Sequence, residues 1–360
     1  MGRETLHFAL IGCGKIAKRH AEILSRMEEA RLVAVCDVVE ERARAFGKSY
    51  GARWYRDYHE MLSKEKDIQV VNVLTPSGLH AQNVLAIVEY KKHIVVEKPM
   101  ALTLDDADEM IDKCNRHGMK LFVVKQNRYN LPVMKLREAI EEGRFGKLVL
   151  GSVRVRWCRR QDYYESEPWR GTWAMDGGVL TNQASHHIDL LTWMMGDVES
   201  VMAKTATRLV TIETEDTGAV IVKFRCGALG IIEATTATRP TDVEGSLSIL
   251  GEKGIVEIGG FAVNEMKIWN FEDKRPDDDE VVTRYGKNPP DPYGFGHREY
   301  LKEVIESVQS EKEAFVDGME GRKSLELVNA IYESVETGRE VFLRFKPRKC
   351  RLGVHTNEGR

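Results

Sequence analysis

The sequence predicts an α/β protein: a doubly wound parallel sheet at the N-terminus, then an α+β domain built on a large, open, mostly antiparallel sheet. Three observations carry this. The turn Gly12-Cys13-Gly14-Lys15-Ile16-Ala17 follows an apolar run at 8–11 and opens a helix-like stretch at 16–27. Strand-like and helix-like stretches alternate through the first third of the chain. After Gln126 the pattern changes to longer strand-like stretches joined by short turns.

Gly12 permits a tight strand-to-helix turn. Gly14 lacks a Cβ, so backbone can approach a pyrophosphate over the helix N-terminus. Ala17 is small enough for helix and strand to pack closely. The next apolar run, 32–36, ends on Asp37, where a carboxylate can accept hydrogen bonds from an adenosine ribose. Together these are the marks of a Rossmann dinucleotide site. The charge of Asp37 repels a 2′-phosphate and neither Val38 nor Val39 can pair with one, so the expected cofactor is NAD rather than NADP. A helix is expected at 40–50, a short strand at 52–55 and a short helical stretch at 58–63. The nearly unbroken apolar run 68–74 suits a strand buried on both faces. It stops at Thr75-Pro76-Ser77, where Pro76 cannot continue the ladder. A helix at 79–90, a strand at 93–96 ending in Glu97-Lys98-Pro99, a helix at 103–117 stopped by Gly118, and a strand at 120–124 complete repeated β-α-β units. These set the boundary of an NAD-binding domain at 1–125.

The segment 126–345 reads as a substrate-binding and oligomerisation domain. It begins with a helix at 131–142 ended by Gly143. Strands are expected at 148–157, 198–209, 217–224, 228–236, 246–250, 254–258 and 265–269, and short connections favour antiparallel pairing. The acidic stretch 277–280 reads as a loop and 288–292 as irregular. Two late helices are expected at 295–309 and 319–337, and 346–360 as a polar, basic, mobile tail. A chain of 360 residues is long enough for two cores. A net charge of −3 gives no reason to propose nucleic acid as a partner. No apolar run approaches the ~18 residues that span a bilayer, and the first apolar run is too short for a signal-peptide core. The cytoplasm is therefore the expected location. The six cysteines lack C-x-x-C spacing and read as reduced, small hydrophobes.

Ligands of open α/β sheets bind outside the carboxyl ends of the strands. Lys98 stands at such an end, where an ammonium can stabilise an alkoxide formed during oxidation. A surface cation paired with Glu97 fits its spacing equally well. The stretch 177–189 reads as a helix after two glycines. Asn182 and His186 then share a face, with Asp189 three residues on, and His186 can accept a proton near neutrality. A metal site from His186, His187 and Asp189 is disfavoured, because adjacent histidines diverge on a helix; no metal is expected, and His187 reads as packed or solvated. Trp169 and Trp173, flanking Arg170-Gly171-Thr172, either line a pocket for a sugar or nicotinamide ring or fill a core between domains. Arg154, Arg156, Arg159 and Arg160 offer cations to a diphosphate or form a charged strand face.

On the glycine turn, Thr75-Pro76, Glu97-Lys98-Pro99, Trp169-Arg170 and the segment from Gly177-Gly178 through His186 to Asp189, the chain resembles the glucose–fructose oxidoreductase/inositol dehydrogenase/MocA (Gfo/Idh/MocA) family over nearly its full length. The resemblance implies that Lys98 and His186 are catalytic. It further implies that Gly12, Gly14, Lys15, Ile16, Asp37, Thr75, Pro76, His80, Glu97, Lys98, Gln126, Trp169 and Arg170 bind the cofactor. It also implies a homo-oligomer, a dimer or tetramer, formed through the open sheet. Many members carry Asp where this chain has Asn182, and an amide cannot supply that charge. The runs 126–130 and 153–159, Tyr163-Tyr164, and Thr181-Asn182-Gln183-Ala184-Ser185-His186-His187 are similar to a nucleotide-sugar branch that oxidises C3 of UDP-N-acetylglucosamine or its uronic acid. That implies a UDP-sugar partner, with Arg128, Arg156, Tyr163, Asn182 and His186 at the substrate. A free-sugar or inositol dehydrogenase and a non-catalytic NAD-binding regulator remain the alternatives, as does the choice of Lys98 or His186 as base.

Overall fold

The computed structural model describes residues 5–286, 296–310 and 316–343. Its first half runs β1 (Leu6–Ile11), α1 (Lys15–Leu24), β2 (Ala30–Cys36), α2 (Glu40–Tyr50), β3 (Arg53–Tyr55), α3 (Tyr58–Lys64), β4 (Val70–Val73), α4 (His80–Ile87), β5 (His93–Val96), α5 (Leu104–Arg116) and β6 (Leu121–Val123). The six strands form one wholly parallel sheet in the order β3-β2-β1-β4-β5-β6. This is the doubly wound arrangement expected from the alternation. All four residues of β4 are buried, as expected of a central strand covered by helices on both faces. Two of these helices, α3 and α5, start where a side chain satisfies their first N–H groups. Asp57 accepts from the backbone of His59 and Glu60, and Thr103 from that of Asp106. Helix α5 also carries Asp105 and Asp106 in its first turn and Lys113 and Arg116 in its last, matching the helix dipole.

The second half runs α6 (Leu131–Glu141), β7 (Leu148–Arg156), α7 (Gln161–Glu165), α8 (Ser185–Met195), β8 (Val198–Ala206), β9 (Thr217–Phe224), β10 (Leu229–Thr235), β11 (Glu244–Gly251), β12 (Gly254–Gly259), β13 (Glu265–Phe271), α9 (Asp278–Arg284), α10 (His297–Ser310), α11 (Gly318–Thr337) and β14 (Val341–Phe342). Its eight strands are ordered β13-β12-β11-β7-β10-β9-β8-β14. Every pair is antiparallel except β7 with β10 at the centre. One face is covered by α6, α8 and α11, whose Leu136, Ile188, Leu191 and Ile331 share a core with Val153, Val155, Val220 and Ile232. The opposite face exposes Met202, Ile221, Leu229 and Ile231.

The last helices return to the first sheet. Tyr300, Leu301, Val304 and Ile305 of α10 pack with Phe8, Leu10 and Leu24, and α11 lies against α5, β6 and β8. Among the described residues, no helix is long and apolar enough to cross a membrane.

Several expectations are corrected. The 277–280 stretch is not a loop but the start of α9. Its Asp278 accepts from the nearby Arg275 N (2.9 Å) and from Arg144 (2.6 and 2.9 Å) and Trp269 Nε1 (2.7 Å), the last two brought to it by the fold. The expected helix at 177–189 is a helix only from Ser185, and 179–184 forms turns. The expected helix at 79–90 is α4 between two 3-10 turns. Helix α7 and the 3-10 turn Gln126–Tyr129 were not anticipated. The stretch 288–292, the tail 346–360 and Cys350 lie outside the described residues.

Gly12 sits at φ +96°, and a Cβ there would lie 2.6 Å from the carbonyl oxygen of Leu74. Both backbone conformation and space exclude a side chain. Gly12→Ala is expected to cost ~1–3 kcal/mol, read as a lower urea midpoint together with weakened NAD binding. A variant with the parent's midpoint and affinity would contradict this.

Candidate active site

The glycine turn is held open by its surroundings. Asp37 Oδ2 accepts from Cys13 N and Oδ1 from Val39 N, both at 2.8 Å. The carboxylate thereby ties the end of β2 to the turn and retains further lone pairs for a ligand. A Cβ on Gly14 would meet no atom within 4 Å. No side chain caps α1, and uncapped N–H groups at a helix start favour an anion. The residues present thus fit a pyrophosphate-bearing cofactor. Ile16 packs against the core beneath. The Lys15 ammonium lies 6.0 Å from the Tyr163 ring centre. Arg42 of α2 pairs with Glu167 at 2.8 Å, bringing the segment after α7 across to the first domain. In that segment the Arg170 guanidinium lies 4.4 Å from the Tyr163 ring and 4.5 Å from the Trp169 ring, and it donates to the Tyr163 hydroxyl.

Two strand-end loops form the floor. Buried His80 bridges them, with Nε2 2.9 Å from the Thr75 carbonyl and Nδ1 2.8 Å from that of Pro99. Burial pulls its pKa down against the two carbonyls and Glu97. Pro76 precedes the 3-10 turn at 77–79. Glu97 is buried at the end of β5. Its Oε1 lies 3.1 Å from His20 Nε2, and its Oε2 accepts from Lys98 N at 3.0 Å. Asn72 donates to His20 Nδ1 at 2.9 Å, which leaves Nε2 as the donor to Glu97. Burial favours the protonated acid, but His20, His297 and Lys98 overcome it and hold Glu97 at about 2. Lys98 is therefore not a surface cation paired with the Glu97 carboxylate. Its Nζ crosses to the second domain and donates to the Asn182 carbonyl at 2.9 Å, with Asn182 Oδ1 at 3.4 Å. The Asn182 carbonyl is available because α8 begins only at Ser185. Burial lowers the pKa of Lys98, while Glu97 and Asp176 raise it.

His186 enters from the first turn of α8. Its Nε2 lies 3.1 Å from Gln126 Nε2, so as oriented the amide donates and the ring accepts. Burial keeps the His186 pKa well below its usual value, aided by Lys98, Lys125, His187 and His297. The ring is therefore neutral, with its Nε2 lone pair engaged by the Gln126 amide. One turn on, Asp189 receives both guanidinium arms of Arg128 (2.8 and 2.9 Å) and lies 3.3 Å from Lys125 Nζ. Arg128 also reaches Glu320 at 3.0 Å, and Lys125 reaches Ser324 at 2.6 Å, both on α11. His187 points away, against the Trp157 ring.

The structure thus gathers Lys98, Gln126, Asn182 and His186 into one cluster, with Tyr163 and Arg170 beside Gln183 and the glycine turn. It does not bring Arg156 there. Arg156 faces away from α8 on the open side of the sheet and pairs with Glu233 at 2.6 and 3.0 Å. Arg128 is buried and committed to Asp189 and Glu320. Arg154 likewise faces Glu244 at 3.3 Å. Sequence reading missed Lys125, Asp176 and Glu215. For Asp176 the available signal was an acid directly before Gly177-Gly178. Glu215 lies beneath those glycines: a Cβ on Gly178 would fall 2.2 Å from its carboxyl group. It accepts from Leu180 N at 2.9 Å and Tyr332 OH at 3.0 Å.

Residues 6–125 match the family model described as "Oxidoreductase family, NAD-binding Rossmann fold", and residues 137–343 the one described as "Oxidoreductase family, C-terminal alpha/beta domain". Fold, glycine cradle and strand-end lysine define an NAD-dependent oxidoreductase. The chain belongs to the Gfo/Idh/MocA oxidoreductase family. It is similar to the WlbA dehydrogenase of Bordetella pertussis, solved with NADH and UDP-GlcNAcA (40% identity, 96% of this chain and 100% of that one, TM-score 0.89). It is also similar to the WlbA dehydrogenase of Chromobacterium violaceum, solved with the same two ligands (42% identity, 96% and 98%, TM-score 0.90). A curated relative, the myo-inositol 2-dehydrogenase of Thermotoga maritima, is 28% identical over 94% of this chain and 98% of its own.

Burial pushes the pKa of Glu215 up to about 7, against its hydrogen bonds from Leu180 and Tyr332. The unfolded carboxyl ionises near ~4.3, so between these values the folded protein holds a proton the unfolded chain has lost. This group's contribution to stability is therefore complete below the lower value and lost as pH rises through the upper one. Urea midpoints are expected to decline across that window. Glu215→Gln, which cannot ionise, is expected to flatten the decline; an unchanged slope would count against it.

Proposed function

We propose that this protein catalyses NAD-dependent oxidation of the C3 hydroxyl of a UDP-linked 2-acetamido sugar, UDP-N-acetylglucosamine or its uronic acid, to the 3-keto sugar, as a cytoplasmic homo-oligomer. The observation that carries this reading is the 40–42% identity, over 96% of the chain, to two dehydrogenases crystallised with NADH and UDP-GlcNAcA. The juxtaposition of Lys98 with the His186 segment supports it. NAD, when bound, supplies the hydride acceptor. Gly12, Gly14 and Asp37 hold its nucleotide half, with Lys15, Ile16, Thr75, Pro76, His80, Glu97, Gln126, Trp169 and Arg170 around it.

The sugar lies between Lys98 and the α8 segment, with Tyr163, Asn182 and His186 beside it. His186 is the base in this reading: burial keeps it neutral, and its Nε2 exchanges the Gln126 hydrogen bond for the proton of the reacting hydroxyl. Lys98 donates a hydrogen bond to the same oxygen as negative charge develops, in a site where low dielectric strengthens that interaction. The roles are exchangeable, because burial also lowers the pKa of Lys98. Arg128 contributes by fixing α8 rather than by touching substrate. The apolar open sheet face, with Met202, Ile221 and Ile231 exposed, is the proposed contact between copies, and Arg156 lies on that face.

The curated relative from Thermotoga maritima favours a second reading, a free-sugar or inositol dehydrogenase. NADH formation with UDP-N-acetylglucosamine, its uronic acid, glucose and myo-inositol separates the two. Turnover confined to the UDP-sugars is expected, and turnover of myo-inositol alone would overturn it. Lys98→Met is expected to bind NAD as the parent does while turnover falls by ~10²–10³. Parent-like turnover in that variant would remove Lys98 from the mechanism.

A further inference from the structure

Asp176 is 1% exposed and stands directly before Gly177. Its Oδ2 accepts from Gly171 N at 2.8 Å, and its Oδ1 accepts from the Asn182 amide nitrogen. On the other side of that amide, Asn182 Oδ1 faces the Lys98 ammonium at 3.4 Å. The two ends of an asparagine amide have nearly the same shape but opposite hydrogen-bonding character. An ionised carboxylate only accepts, so it selects the orientation with nitrogen toward itself and oxygen toward the lysine. The flipped amide would present its donors to an ammonium that has only donors, and its oxygen to a carboxylate that has only acceptors.

We infer that Asp176 is a positioning residue for Lys98: it orients the Asn182 amide, and it supplies from behind that amide the negative charge that an aspartate at position 182 would supply directly. This rests on the reading of Lys98 as the group at the reacting oxygen. Lys98 is faced by Glu97 from its own strand end, Lys125 from the end of β6, Arg170 from the segment after α7, His186 from α8, and Asp176. Three of these are cationic or neutral nitrogen groups and two are carboxylates. Both carboxylates raise the proton affinity of Lys98; Glu97 hydrogen-bonds His20 and the Lys98 backbone, whereas Asp176 reaches the ammonium through the Asn182 amide. Asp176 is itself faced by Lys98, Arg170, Asn182, Tyr163 and Glu215. A role limited to pinning the turn at Gly171 would affect stability without changing the proton affinity of Lys98.

The test reads that affinity directly. The full-length protein with NAD is acylated by dilute acetic anhydride across a pH series, and the Lys98 peptide is quantified by mass spectrometry. In Asp176→Asn the midpoint for Lys98 is expected to fall by about one pH unit, and the Lys98-linked limb of the turnover profile to move with it. In the double variant D176N/N182D the new amide donates to the relocated carboxylate, and the midpoint is expected to return to the parent's value or above. A D176N protein with parent-like thermal unfolding and an unshifted Lys98 midpoint overturns the inference. So does a double variant whose midpoint stays below the parent's, a measurement that stands even if the single variant does not fold. Failure of the parent to oxidise any UDP-sugar would overturn the substrate reading and leave the labelling result intact.

Discussion

A buried carboxylate held by two buried cations is the constraint on which the site depends. Asp189 of α8 meets Arg128 through two parallel hydrogen bonds and lies 3.3 Å from Lys125. Both cations follow the last strand of the NAD-binding sheet, and both extend to α11. Three elements are thereby welded at a single point. Such buried pairs contribute little net stability, because desolvation offsets the Coulomb gain, but removing one partner leaves an uncompensated charge. Their effect is geometric. With Asp189 fixed, His186 lies one turn back on α8 and meets Gln126, which is adjacent in sequence to Lys125.

The same node shapes the field in the site. Lys125 is one of the cations that, after burial itself, depress the proton affinity of His186. Lys98 sits among Lys125 and Arg170 on one side and Glu97 and Asp176 on the other. A dehydrogenase that stabilises a developing alkoxide needs positive charge at the reacting oxygen and a neutral acceptor for the proton. In the proposed reaction Lys98 and His186, buried near a limited set of carboxylates, are the groups offered for these two roles. Asn182 connects the two halves: its carbonyl receives Lys98, and its side chain reaches Asp176.

Much of this was legible in the chain. The first sheet was readable because each β-α-β unit is local: the apolar run and the turn chemistry lie within a few residues of the elements they define. Lys98 and His186 were legible as candidates through the resemblance, since spacing alone fits Lys98 equally well as a surface cation paired with Glu97. The 179–184 segment was misread as helix because its apolar spacing suits one. Its conformation is decided by Glu215 accepting from Leu180 N, 35 residues away. Helix α9 was misread for a related reason: Asp278 is stabilised by Arg144 and Trp269, which its neighbours in sequence do not reveal. The arginines of β7 show the limit of alternation. Period-two spacing puts Arg154 and Arg156 on one face, but only the packing of α8 on the other tells which face is the open one.

The sequence by itself determined the NAD-binding half and its glycine turn, because those signals are carried by backbone conformation and short-range periodicity. Tertiary structure alone decided that the second sheet places a parallel pair at its centre, that α10 returns to the first core, and that Lys98 reaches Asn182 across 84 residues. The physical reason is that burial, charge and hydrogen-bond partners are properties of the assembled interior. A lysine at a strand end becomes part of a site only when another segment brings it an acceptor.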